Sequence, residues 1–279
     1  MHGMEFRNLL FKKLQKISLH NVISMSFVGS TITEKDFKNV GDIDIIIILK
    51  KLDYENYSKL IIAFQQFIKD ISYREYKFHL ETRRGTIKPD YKDKNEKQLH
   101  LFVYDPEIWN GINKNALYEW TYHNQNIMGK ELRKITKRFT LTKEDALQDI
   151  TRFLNELENK TILISRYTLD TNKNQLIKKK LYIKSENQSG TYHAVWNTLI
   201  GALIYARLHK KISNSKKDLL SYARLNEKKF YDHIKKAYEL KYRLKSHEKI
   251  SNSEAREFRD DSIMFIKYIK NRLKNSSSD

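Results

Sequence analysis

A chain of 279 residues with 40% hydrophobic and 12% aromatic side chains holds enough apolar mass for one large or two ordinary cores, which excludes a wholly disordered protein. It contains no cysteine, so disulfides and zinc–thiolate centres are excluded, and no stretch reaches the ~18–20 apolar residues of a membrane span. The formal net charge of +19 sets up a field that attracts polyanions such as nucleotides or RNA.

Taken in chain order, Met4 to Ile17 carries Phe6, Leu9, Leu10, Leu14 and Ile17 at helical spacing. Ile23 to Val28 reads as a first strand and Asp42 to Leu49, rich in isoleucine, as a second and buried one. Tyr57, Leu60, Ile61, Phe64, Phe67, Ile68 and Ile71 predict an amphipathic helix over 52–71. Tyr76 to Thr82 alternates and predicts a third strand; Gln98 to Tyr104 predicts a fourth, ended by Asp105-Pro106. Helical spacing follows in Lys114 to Tyr122 and near Gly129 to Leu132. Thr142 with Asp145 is a helix N-terminus, and beyond it the spacing predicts helices only, over 142–165, 192–210, 216–245 and 253–274. The expected architecture is α+β: a mixed sheet with flanking helices, placed on one side, in residues 1–138, then an α-helical bundle in 139–279.

The densest signal lies in SFVGSTITEKDFKNVGDIDIIIILK. An apolar strand ends in Gly29-Ser30, a polar connection follows, and Asp42 and Asp44 open the next strand behind Gly41. Residues i and i+2 of a strand share a face, so the two carboxylates stand ~6–7 Å apart. They repel each other, and a divalent cation between them relieves that repulsion. Glycine allows close backbone approach, and the Ser30 hydroxyl with neighbouring N–H groups suits phosphate oxygens.

This Gly-Ser turn, spacer and strand-opening Asp-x-Asp resembles the signature of the nucleotidyltransferase superfamily, over roughly residues 23–132. The resemblance implies a metal-dependent enzyme that moves a nucleoside monophosphate from an NTP to an acceptor hydroxyl or phosphate and releases pyrophosphate. It implies Mg²⁺ or Mn²⁺ on Asp42 and Asp44, and phosphates on Gly29 and Ser30. The chain departs from the pattern at Thr31 and Ile32, where many members have Arg. It departs again at the third carboxylate, where alignment by eye places His100. His100 is a candidate catalytic residue, as metal ligand or proton acceptor; Glu81 and Asp105 are the alternatives. Arg83, Arg84 and Lys88, just past the third strand, are candidate phosphate contacts.

The acceptor stays open at this point. RNA or tRNA fits the charge and the basic, aromatic run Lys178-Lys179-Lys180 with Tyr182 and Lys184; a small molecule of the antibiotic type fits a compact chain; a catalytically weak nucleotide-binding protein is the third reading. Arg243 and His247 stand too close for a helical-ribonuclease motif, and His193 reads as structural. With no legible apolar leader, a cytoplasmic protein is expected.

Overall fold

The computed structural model describes residues 3–17, 19, 21–33, 40, 42–71, 76–85, 95–209, 216–226, 228–246 and 248–275. The chain divides into two compact units. The first comprises Met1–Arg84, Pro89–Phe139 and Ser165–Lys180; the second comprises Gly85–Lys88, Thr140–Ile164 and Leu181–Asp279.

Elements run in the order α1 (Gly3–Leu14), β1 (Val22–Val28), α2 (Ser30–Thr33), β2 (Asp42–Leu49), α3 (Tyr54–Ile71), β3 (Lys77–Glu81) and β4 (Glu96–Tyr104). Then come α4 (Pro106–Asn110), α5 (Lys114–Tyr122), β5 (Asn124–Gly129), α6 (Leu132–Ile135) and α7 (Lys143–Glu158). The chain closes with β6 (Thr161–Asp170), β7 (Gln175–Lys184), α8 (Asn187–His209), α9 (Lys216–Asn226), α10 (Lys228–Lys245) and α11 (Asn252–Asn275).

The first unit is built on a five-stranded mixed sheet of order β3-β4-β2-β1-β5. β1 runs antiparallel to β2 and β5, whereas β2, β4 and β3 are mutually parallel. β2 explains the placement of the helices. Ile43, Ile45 and Ile47 pack on one face with Leu10 and Leu14 of α1 and Tyr57, Leu60 and Phe64 of α3. Ile46 and Ile48 pack on the other with Trp109 of α4, Leu117 of α5 and Leu132 of α6. A strand covered on both faces has no polar face to keep, hence the unbroken isoleucine run. Helices therefore flank both faces of the sheet, not one as the sequence suggested.

Three further expectations are corrected. The helix expected near Gly129 to Leu132 starts only at Leu132, as α6, and Gly129 instead ends β5, an edge strand paired to β1 that the spacing did not indicate. The helix expected over 142–165 stops at Glu158; Lys160 takes a left-handed φ of 51°, and β6 and β7 form a hairpin where only helix was expected. The long helix expected over 216–245 is two helices, α9 and α10. The N-terminus of α7 is as the sequence implied: Thr142 accepts from the Asp145 N–H while the Asp145 carboxylate accepts from the Thr142 N–H.

The second unit is the helical bundle, with one core of α7, α8, α9, α10 and α11 centred on Ile150, Phe153, Val195, Phe258 and Ile266.

Candidate active site

Val28 pairs with Asp44 at the end of the β1–β2 ladder, so the turn after β1 meets the opening of β2. Gly29 holds φ +65°, and a Cβ built there would lie 2.7 Å from Asp44 Oδ2. Both the backbone conformation and the space require glycine. The fully buried Thr31 fixes the other side of the opening. Its hydroxyl donates to the Asp42 carbonyl at 3.4 Å and accepts from the Asp44 N–H at 3.3 Å. In the sequence Thr31 stood out only as a departure from a family pattern; here it clamps the backbone on both sides of Ile43.

Strand register supplies the rest. Asp44 lies opposite His100 on β4, and His100 lies opposite Glu81 on β3. Asp44, His100 and Glu81 thus form a row across three strands spaced ~4.8 Å apart. His100 Nδ1 is 3.4 Å from Asp44 Oδ1, and Nε2 contacts the Arg83 carbonyl. Burial lowers the pKa of His100, but the Asp44 hydrogen bond and charge, the Arg83 carbonyl and Asp42 outweigh it and raise it above the ordinary value. An imidazole between two acceptors donates from both nitrogens. In this arrangement it offers no lone pair to a metal or to an acceptor proton.

Glu81 is 8% exposed. It accepts from the N–H groups of Thr82 (2.9 Å) and Arg83 (2.7 Å), from Arg83 Nε (2.8 Å) and from Gln98 Nε2 (3.1 Å). Burial raises its pKa, and the Arg83 and His100 interactions more than reverse this, leaving it lowered and the group ionised. Arg83 is thereby drawn back onto Glu81. Arg84 points elsewhere: its guanidinium lies 4.0 Å from the Tyr104 ring and 4.9 Å from that of Tyr167, and donates to the Val103 carbonyl. Its backbone pairs with Ser165 in both directions, which ties β6 to the first unit. Asp105 is not a third site carboxylate, because Oδ1 caps α4 by accepting from Ile108 N–H at 2.8 Å. Gly41, Lys88 and His247 lie outside the described residues.

The remaining candidates are placed as follows. Lys178 has a lowered pKa, through burial and the nearby Arg84 and Lys180; Lys179, Lys180, Tyr182 and Lys184 of β7 are exposed. Arg243 is bound to Glu248 and Glu254, an ion-pair role. His193 is buried and contacts Glu156 at 2.9 Å and Asn197 at 3.0 Å, as a structural histidine does.

Among the described residues no group of three or more His, Asp or Glu is arranged to hold a metal ion. Asp42 and Asp44 suit Mg²⁺ nonetheless. Mg²⁺ is a hard cation, usually held by one or two carboxylates together with substrate phosphates and water rather than by an all-protein cage. Asp44 is partly open, with 24% of its side chain exposed, and its neighbour two residues back lies on the same strand face.

No family model matches the chain, and no curated protein matches it. Among solved structures it is similar to spectinomycin adenyltransferase AAD(9) from Enterococcus faecialis, solved with ATP and spectinomycin. The TM-score is 0.54 at 13% identity, covering 98% of this chain and 99% of that one. The likeness shows the fold: this chain shares the α+β architecture of that structure. No helix of the described residues is long and apolar enough to cross a membrane.

Proposed function

We propose that this protein transfers a nucleoside monophosphate from an NTP, ATP in the first instance, to a hydroxyl of a small-molecule acceptor, releasing pyrophosphate. One observation carries this reading: a positive-φ glycine pressed against Asp44, with Asp42 on the same strand face, at a sheet end whose next two strands add His100 and Glu81. In this reading Gly29 and Ser30 seat the triphosphate, and Asp42 and Asp44 hold the divalent cation. When bound, the metal supplies charge neutralisation at the phosphates and at the attacking oxygen. Thr31 holds the two aspartates in place through their backbone. His100 is the positioning cation that fixes Asp44 Oδ1. Glu81, ionised and held by Arg83, is the third carboxylate of the row. Arg83, which holds Glu81 here, is the group for which an incoming triphosphate competes.

A small-molecule acceptor is supported by full-length similarity to an enzyme solved with ATP and spectinomycin. An RNA acceptor is the second reading, favoured by the net charge of +19 and the exposed Lys179, Lys180 and Tyr182. The test is incubation with α-labelled NTPs and Mg²⁺, with spectinomycin in one arm and total RNA in the other. Label on spectinomycin supports the first reading. Label on RNA, weakening steeply with salt at a log–log slope of roughly −0.7 per phosphate contact, replaces it with the second. Absence of label and of pyrophosphate in both arms contradicts the enzymatic reading.

A further inference from the structure

We infer that the helical unit carries an anion pocket of its own, which takes a phosphate group, free or as a small phosphate monoester. The pocket is a cavity of about 240 Å³ built wholly from residues of the second unit. Three cations from two separate segments line it: Lys160, in the turn between α7 and β6, and Arg256 and Arg259 on α11. Arg256 and Arg259 are three residues apart and so lie on one helix face. Glu186 is the one carboxylate in the lining. Among the described residues Lys160 and Arg256 make no ion pair, and Arg259 meets only its sequence neighbour Asp260, at 3.8 Å. The walls are held from behind. Ser185 N–H donates to the Lys160 carbonyl at 2.8 Å, and a Cβ at Gly190 would lie 2.8 Å from the Ser185 carbonyl oxygen, so glycine lets α8 close against the end of β7.

Three cations against one carboxylate in the lining favour an anion, and guanidinium groups can bind phosphate through two parallel hydrogen bonds. Size and composition narrow the class. The cavity falls below the ~300–1,000 Å³ of sites for drug-sized ligands. Its lining contains no aromatic side chain on which a base could stack, which argues for a phosphate head and against a nucleotide or nucleic acid.

The test uses full-length protein carrying Asp42→Asn and Asp44→Asn, so that binding in the first unit's site does not contribute. Inorganic phosphate and, separately, glycerol phosphate are titrated by calorimetry. Saturable one-site binding, weakened at least about tenfold by Arg256→Gln with Arg259→Gln and unchanged by Lys235→Gln on α10, is the expected result. Tighter binding of the ester identifies a monoester as ligand; equal binding identifies the phosphate head alone. If the double variant does not fold, Arg256→Glu, at an exposed position, decides by the same criterion. Non-saturating binding, binding unaffected by the arginine changes, or equal weakening by Lys235→Gln overturns the inference. None of these outcomes depends on whether the protein transfers nucleotides.

Discussion

Among the described residues, two buried histidines each face a carboxylate, and the two pairs differ instructively. Glu156–His193 in the helical bundle is the tighter, at 2.9 Å, and both side chains are nearly sealed, at 6% and 1% exposure. Asn197 and Ser185 flank the imidazole, and Arg152 approaches the other glutamate oxygen at 3.5 Å. Asp44–His100 in the sheet is looser, at 3.4 Å, and its carboxylate is 24% exposed beside a glycine with no side chain to cover it. The first pair closes on itself. The second leaves carboxylate oxygens accessible at the end of a rigid sheet, where a cation and its phosphates can reach them. A buried histidine with an acidic partner does not by itself mark a site; the proposed site rests on the acidic partner left open.

The strongest way to break this contrast is to alter each region and read both activity and stability. Asp42→Asn should lower nucleotide transfer by roughly 10³-fold, as loss of a principal electrostatic stabiliser does, while stability changes by less than about 1 kcal/mol. Glu156→Gln should do the reverse. Leaving buried His193 without its carboxylate, while Arg152 keeps Asp149 at 3.2 Å, should cost about 3 kcal/mol of stability, with transfer per folded molecule unchanged. Chemical denaturation alongside a transfer assay checks both. If Glu156→Gln abolished transfer in a fully folded protein, the bundle pair would belong to the chemistry and the contrast would fail.

A third, partly buried histidine sharpens the comparison because no carboxylate contacts it among the described residues. His233 faces the hydroxyls of Thr198 and Ser262 and stacks on Phe258. Burial, with help from Lys236, lowers its pKa to about 4. The folded protein therefore binds this proton less readily than the unfolded chain. Stability is fully present above pH ~6.5 and falls as the pH drops towards 4, by about 2–3 kcal/mol in total. In His233→Gln that part of the acid loss should disappear, as seen in denaturation midpoints at pH 7 and pH 4.5; an unchanged acid loss would show that His233 is not its source.

The smallest effects concern the turn. Ser30→Ala should weaken triphosphate binding by about 1–2 kcal/mol, the value of one hydrogen bond to a charged partner. Gly29→Ala should do more, since a Cβ at φ +65° would stand 2.7 Å from Asp44 Oδ2. Nucleotide titration of both variants checks the ranking, and equal, negligible effects would make this an ordinary turn.

Legibility in the sequence followed the range of the interactions. β2 was readable because its isoleucines answer to two apolar faces at once, and the start of α7 because Thr142 and Asp145 satisfy each other three residues apart. β5 was not readable: in NQNIMG only Ile127 is buried, and the strand exists because β1 offers it an edge. The β6–β7 hairpin hid for a related reason. Nearly all of β7 is exposed, so no apolar stripe marks it. Gly29, Ser30, Asp42 and Asp44 were legible as candidates from local spacing. The row Asp44–His100–Glu81, the turning of Arg83 onto Glu81 and the use of Asp105 as a cap depend on register or on local capping geometry, which spacing did not reveal.

The central claim is that Asp42 and Asp44 form a divalent-cation site completed by a triphosphate. Its most direct test is Mn²⁺ binding, followed by electron paramagnetic resonance, with a non-hydrolysable ATP analogue present. The wild-type protein should bind Mn²⁺ far more tightly with the analogue than without it, and Asp42→Asn with Asp44→Asn should remove that gain while the protein stays folded. An undiminished gain in the double variant, or none in the wild type, would contradict the assignment.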